Sequence, residues 1–295
     1  MISSLVTIAI PAYKSTYLRE AIDSALAQDY KNIELVIVND KSPYDIDSIV
    51  QSYDDFRIRY YVNDTNLGKE SIVYNWNRCL DYAQGEFFVL LCDDDVLMPN
   101  FVSELLELAR KYPLCSVFHA RRNVKNELTE KIIIDNIWPE YETYKDFVKN
   151  KYDGKRPHTI TDFLYRTKDL KRTRYKVYPQ GWCSDGASIV MMVKIGGIVS
   201  STNPLVVYRE NNEHVSVMGY KEYDKVCAIL MYRSFLLSLG TDILPRNKAD
   251  SIIEHLLLNH FYYLNVWQRL YISLFVPYNV LSIKTKIFLI SRIFK

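Results

Sequence analysis

The 295-residue chain is predicted to fold as an α/β protein, with a mixed, mostly parallel sheet flanked by helices and a helical appendage at its C-terminal end. Three observations lead there. β-Branched apolar runs alternate with segments of helical spacing through the first hundred residues. Two of those runs end in acidic residues, at Asn39-Asp40 and at Asp93-Asp94-Asp95. From about Tyr220 onward the spacing is helical, without strand punctuation. Strands separated by single helices form right-handed βαβ units, and ligands of such sheets bind beyond the carboxyl ends of the strands.

The elements follow from the pattern in order. Residues 5–10 form a β-branched run, and 15–28 carry Leu18, Ile22, Ala25 and Leu26 at helical spacing. Residues 33–38 and 58–62 read as strands, 71–83 as a helix, and 86–91 as a buried strand that stops at Cys92. A helix over 100–111 is stopped by Pro113 and followed by a strand at 115–120. Residues 121–179 are irregular, basic and aromatic, and are expected to mix loops with short helices. Regular spacing returns at 187–193, 198–199 and 204–208, and a boundary is placed near Gly219.

Composition narrows the function classes. There are 37 Lys and Arg against 35 Asp and Glu, a net charge of +2, and the basic residues are scattered, so nucleic acid is not an expected partner. With 48% hydrophobic residues the chain has ample material for a core. Its five cysteines are odd in number and widely spaced, which implies a reducing compartment. The N-terminus has no basic n-region, and no apolar stretch reaches about 18 residues. A cytoplasmic location is therefore expected.

Asp93, Asp94 and Asp95 carry the sharpest chemistry. Adjacent carboxylates repel one another and are costly at the end of a buried strand unless a cation offsets them. Mg²⁺ or Mn²⁺ takes carboxylate oxygens and shares its other positions with substrate phosphates. A solvated acidic turn or a helix N-cap is the alternative reading. Asp40 can accept the imide N–H of a uracil, and Tyr13 can stack on the same base; an Asx-turn and ordinary packing are the alternatives.

Five ordered blocks resemble those of family 2 glycosyltransferases. They are Thr7-Ile8-Ala9-Ile10-Pro11-Ala12-Tyr13, Leu35-Val36-Ile37-Val38-Asn39-Asp40-Lys41-Ser42, Asn66-Leu67-Gly68, Ala83-Gln84-Gly85-Glu86-Phe87, and Leu91-Cys92-Asp93-Asp94-Asp95-Val96-Leu97-Met98-Pro99. The resemblance implies a GT-A fold and mostly inverting transfer from a nucleotide-sugar donor, here a UDP-sugar. The acceptor would be a glycan or a lipid-linked molecule of cell-surface polysaccharide synthesis. It divides the chain into a domain over 1–218, with a nucleotide-binding half over 1–120 and an acceptor-binding half over 121–218, and a helical region over 219–295.

The resemblance also implies site roles. Pro11, Ala12 and Tyr13 match the nucleotide-contacting block, and Asp40 matches the acid that reads the base. Asp94 is assigned to Mn²⁺ or Mg²⁺, Asp95 supports it, and Asp93 contacts ribose or metal. Cys92 stands where many members have an acid. Asn77 matches an Asn of the preceding helix, whereas Trp76 replaces the usual Arg, leaving Lys69 or Arg78 to supply positive charge. Asp185, in Trp182-Cys183-Ser184-Asp185-Gly186, matches the second acid of the acceptor-side block and is the candidate base; as a bare residue it also suits a helix N-cap. Trp182 suits a sugar face or a core position. Arg209 matches the closing block and is assigned to acceptor or diphosphate. His214 is a minor metal candidate, since Asn211 holds the place where a His commonly follows that Arg.

Two rivals remain at this level. A sugar nucleotidyltransferase would show a Gly-rich phosphate loop, which Pro11-Ala12-Tyr13-Lys14 lacks. A catalytically silent GT-A domain would serve for binding only. Residues 255–295 contain no Asp or Glu but carry Arg269, Lys284, Lys286, Arg292 and Lys295 among aromatic residues. They suit either peripheral contact with the inner membrane surface or a helical subdomain packed on the catalytic core.

Overall fold

The structure, a computed structural model, describes residues 4–210, 222–240, 242–243, 264–274 and 281–293. The first half runs β1 (Val6–Ala12), α1 (Leu18–Leu26), β2 (Ile33–Asn39), α2 (Ile46–Gln51), β3 (Ile58–Val62), α3 (Ile72–Tyr82), β4 (Phe87–Leu90), β5 (Val96–Leu97) and α4 (Phe101–Lys111). There follow β6 (Val117–Asn126), β7 (Ile132–Ile134), β8 (Tyr141–Glu142), α5 (Tyr144–Tyr152), β9 (Phe163–Arg166), α6 (Thr167–Thr173), α7 (Ser184–Val193) and β10 (Ile198–Glu210). The described helices beyond them are α8 (Glu222–Ser238), α9 (Val266–Ser273) and α10 (Ile283–Ile293).

The residues of β1, β2 and β4 are buried on both faces, as a sheet covered by helices on either side requires. Val6, Ile8, Ile10 and Ala12 of β1 join Leu35 and Ile37 of β2 in one apolar cluster, while Ala9, Val36 and Val38 face a second. That is the period of two expected of a strand. The first cluster is closed by α1 through Leu18, Ala21, Ile22 and Ala25, and by α4 through Phe101, Val102, Leu105 and Leu106. The second is closed by α3, α7 and α8.

The sheet order is β3-β2-β1-β4-β9-β6-β10-β5, with β7 on β6 and β8 on β10. β3, β2, β1 and β4 are mutually parallel, as expected from their spacing. The order reverses beside β1, so the carboxyl ends of β1, β2 and β4 open onto one cleft.

The reading of 121–179 as loops with short helices is corrected in part. β6 runs on to Asn126, and β9 inserts antiparallel between β4 and β6. β9 is only four residues long, too short for its alternation to register as a strand in the sequence. The runs at 198–199 and 204–208 are one strand, β10, whose register against β6 shifts around Pro204. Helix α8 shares the second cluster with α7 through Val226, Leu230 and Leu237, so the chain beyond 218 packs on residues 121–218 at least through α8. The boundary at Gly219 lies outside the described residues.

A buried polar knot locks the four parallel strands. Glu34 accepts from Thr7 Oγ1 at 2.5 Å, from the Gln84 N–H at 2.7 Å and from Arg59 at 2.5 Å. Thr7 Oγ1 in turn accepts from the Gly85 N–H at 2.9 Å. Gly85 is compulsory at this approach, because a Cβ there would lie 2.5 Å from the Thr7 nitrogen. Gly85→Ala is predicted to lower stability by about 1–3 kcal/mol, as overpacking does, read as a lower denaturant midpoint. An unchanged midpoint would contradict this account of the knot.

Candidate active site

The three acids that follow β4 are disposed of separately. Asp93 turns its carboxylate back to β1, where Oδ2 accepts from the Tyr13 and Lys14 N–H groups at 2.8 and 2.7 Å. Asp95 Oδ2 accepts from Thr161 Oγ1 at 2.6 Å, and its Oδ1 from the Arg209 N–H at 3.3 Å. Asp94 Oδ2 has Lys14 Nζ at 3.4 Å. All three are buried. Burial, followed by the charge of Asp94, pushes the Asp93 carboxyl up to about 6 and that of Asp95 well above the usual range.

This geometry fits a divalent cation. One ligand atom each from Cys92, Asp94 and Asp95 lies within 4.8 Å of the others. Two carboxylates that repel each other in a buried place suit Mg²⁺ or Mn²⁺. Cys92 suits them poorly, since burial and then the neighbouring acids keep its thiol protonated. Asp93 is turned to the backbone of β1, leaving Asp94 and Asp95 as the residues that would hold the ion.

At the nucleotide end, Ala12 accepts from the Asp40 N–H at 2.9 Å, so the ends of β1 and β2 are adjacent. Asp40 is buried. Its Oδ1 accepts from Asn63 Nδ2 at 2.8 Å and the Leu67 N–H at 2.9 Å, and its Oδ2 from the Gly68 N–H at 2.7 Å. A carboxylate offers about four lone-pair sites, so one remains for a ligand. These bonds account for the Asn66-Leu67-Gly68 block: a Cβ at residue 68 would lie 2.9 Å from Asp40 Oδ2. Tyr13 and Tyr44 are exposed, with their rings edge to face and centroids 6.5 Å apart. Pro11 is partly buried in β1, and Lys69 is exposed on the short turn Leu67–Lys69.

Two expected residues are placed otherwise. Asn77 uses its side-chain amide on the backbone of Tyr175, accepting at 3.0 Å and donating at 3.1 Å, so it anchors the segment after α6 to α3. The amide of α3 linked to Asp40 is Asn75, which accepts from Asn63 at 3.0 Å. Asn77 instead borders a groove of about 370 Å³ with Arg78 and Arg174, which none of the three acids lines. Arg209 pairs with Glu20 and Glu127 and lies over the Tyr17 ring, so its guanidinium is held among those groups. The positive charge beside Asp94 comes from Lys14, which the spacing did not single out. His214 lies outside the described residues.

On the acceptor side, Asp185 is the second residue of α7, and the N-cap position belongs to Cys183 in a left-handed conformation with φ 57°. Asp185 Oδ1 accepts from the Gly186 N–H at 2.7 Å, and Oδ2 lies 3.3 Å from His158 Nε2. Burial would raise this carboxyl, but His158 and Lys151 hold it below the ordinary carboxylate range. It is therefore ionised at neutral pH. Trp182 is partly buried, carries Lys225 Nζ 4.7 Å from its ring centroid, and has a buried indole N–H without a partner among the described residues.

Sequence reasoning missed the segment that joins these parts. Thr159 and Asp162 close a capping box, and Asp162 receives Arg122 at 2.7 Å. Between and beside them, Thr161 reaches Asp95 and the Cys92 N–H, while His158 reaches Asp185. The Thr159–Asp162 pairing was the only local signal.

The repulsion among the acids has a measurable consequence. Asp93 binds its proton more tightly folded than unfolded, so its contribution to stability falls as pH rises through about 4 to 6. Asp94→Asn removes the charge that raises both neighbours. It is predicted to raise the melting temperature of the metal-free protein at pH 7 by about 2–4 °C, with a smaller difference near pH 5. A lowered melting temperature at pH 7 would refute this.

Comparison with known proteins agrees with the geometry. The glycosyl transferase family 2 model matches residues 7–173, more than half of the chain. An uncharacterized glycosyltransferase of Rickettsia typhi is 39% identical over 110 residues, 37% of this chain and 33% of that protein. A GalNAc(5)-diNAcBac-PP-undecaprenol beta-1,3-glucosyltransferase of Campylobacter jejuni is 35% identical over 108 residues, 36% of this chain and 34% of that protein. The matches thus span about a third of those relatives. Among solved structures, S. aureus TarS 1–349 in complex with UDP-GlcNAc superposes with a TM-score of 0.66 at 19% identity, over 88% of this chain and 73% of that one. The mannosyltransferase PcManGT of Pyrobaculum calidifontis, in complex with GDP-Man and Mn²⁺, gives 0.58 at 15% identity, over 87% and 71%. A GT-A sheet, the ordered blocks and the family match lead to one conclusion: the chain belongs to glycosyl transferase family 2.

Proposed function

We propose that the protein is a metal-dependent inverting glycosyltransferase that moves a sugar from a UDP-sugar to a glycan or lipid-linked acceptor of cell-surface polysaccharide synthesis. The observation that carries this reading is a buried Asp94–Asp95 pair at the strand ends, tied through residues 158–162 to an ionised Asp185. The Campylobacter relative, named for a polyprenol-linked substrate, supports the acceptor class, and the TarS complex supports the donor class.

Uracil would lie between Tyr13 and the end of β2, its imide N–H on the remaining lone pair of Asp40. Asp185 takes the proton of the acceptor hydroxyl as that oxygen attacks C1 from the face opposite the leaving UDP. A divalent cation on Asp94 and Asp95 would neutralise charge on the diphosphate. Lys14 adds a positive charge at the same acids.

The tail fits a peripheral contact with an anionic membrane surface. No helix among the described residues is long and apolar enough to cross a membrane. Helix α10 buries Thr285, Leu289 and Ile293 but exposes Ile283, Ile287 and Ile290. Helix α9 exposes Trp267 at 78% and Leu270. Lys284, Lys286, Arg269 and Arg292 share these helices. The protein is predicted to co-sediment with phosphatidylcholine vesicles only when they contain phosphatidylglycerol, and less so at high salt. Equal binding to neutral vesicles, or none to either, would contradict this contact.

For the donor, UDP with Mn²⁺ is predicted to raise the melting temperature where GDP and CDP do not. Asp185→Asn should keep that shift while slowing sugar transfer by about 10²–10⁴-fold. Failure of UDP to stabilise the protein would overturn the donor assignment.

A further inference from the structure

Asp185 is the end of a hydrogen-bonded chain. His158 is 3% exposed, with Nε2 3.3 Å from Asp185 Oδ2. Its other ring nitrogen, Nδ1, lies 2.5 Å from Nζ of Lys151, which is partly buried in α5. Lys151 Nζ also donates to the Arg156 carbonyl at 2.8 Å. Burial pushes this ammonium down to about 8, so it is charged at neutral pH. Nδ1 also lies 3.2 Å from the Arg156 carbonyl, which only accepts. That carbonyl already receives Lys151 Nζ, and the shorter 2.5 Å contact of Nδ1 is to the ammonium, which only donates. Nδ1 is therefore the acceptor, and the ring proton is on Nε2, facing Asp185. The chain thus has one direction, from Lys151 through His158 to Asp185.

We propose that His158 and Lys151 are positioning residues for sugar transfer, fixing the plane of the Asp185 carboxylate toward the acceptor hydroxyl. The proposal rests on the reading of Asp185 as the base. With Gly186 N–H on Oδ1 and His158 on Oδ2, the carboxylate is held at both oxygens. A base displaced by about 1 Å can lose a factor of 10² in rate, so this support acts on turnover rather than on donor affinity. Because residues 159–162 reach Asp95 from the same loop, the base is placed relative to the acids at the strand ends.

The test has two arms. In the first, long-range ¹H–¹⁵N NMR of the imidazole rings at neutral pH, with His158 assigned by loss of its signals in His158→Gln, should show the Nε2–H tautomer. Lys151→Met should mix the tautomers. In the second, UDP release from UDP-GlcNAc is followed kinetically. His158→Leu should lower kcat by roughly ten- to a hundredfold with donor KM unchanged. His158→Gln should recover most of it, since its carbonyl accepts from Lys151 and its amide donates to Asp185. An Nδ1–H or doubly protonated ring, or a Gln variant no better than Leu, would overturn the positioning role. Full turnover in Asp185→Asn would instead overturn the base assignment and, with it, the role built on it.

Discussion

Placing Asp93, Asp94 and Asp95 in succession at the end of a buried strand obliges the fold to deal with three negative charges within a few ångströms. Each receives a different answer. Asp93 is given two backbone N–H groups from the end of β1, Asp95 the Thr161 hydroxyl and the Arg209 N–H, and Asp94 the ammonium of Lys14. The acids thereby tie the end of β4 to β1, to the loop before β9 and to β10. Burial first, and then the charge of Asp94, raise the carboxyls of Asp93 and Asp95, a setting that favours a divalent cation.

The same constraint explains the loop at residues 156–162. A loop that delivers Thr161 to Asp95 must be rigid, and the Thr159–Asp162 capping box with the Arg122 ion pair makes it so. His158, immediately before it, meets Asp185 at the start of α7. The acids at the strand ends and Asp185 are thus held by one short segment, and their separation does not depend on long-range packing alone. The outward side of the domain is organised differently. There α8 closes the core cluster it shares with α3 and α7, while α9 and α10 leave an apolar face with basic neighbours exposed.

Much of this was legible in the sequence for a physical reason. The parallel strands β1, β2 and β4 are buried on both faces, so they appear as apolar runs, and the acidic residues that follow β2 and β4 stand out against them. Gly85 and the Asn66-Leu67-Gly68 turn were visible because close backbone approaches admit few residue types. What escaped was chemistry assembled from distant, individually ordinary residues. Lys14 and Tyr44 acquire meaning only once β1 pairs with β4 and β2, and Lys151, His158 and Thr161 only once β9 has inserted between β4 and β6. For Asn77 and Arg209 the residue type did not disclose the local contacts: backbone holds the one and two acids the other.

The central claim is that Asp94 and Asp95 form one divalent-cation site completed by a nucleoside diphosphate. Electron paramagnetic resonance of Mn²⁺ titrated into the protein, with and without UDP, tests it most directly. The account predicts that the free-Mn²⁺ signal falls markedly only when protein and UDP are both present, to an extent of one ion per chain, and that Asp94→Asn restores it. A Mn²⁺ signal indifferent to protein in the presence of UDP, or unchanged by the substitution, would contradict it.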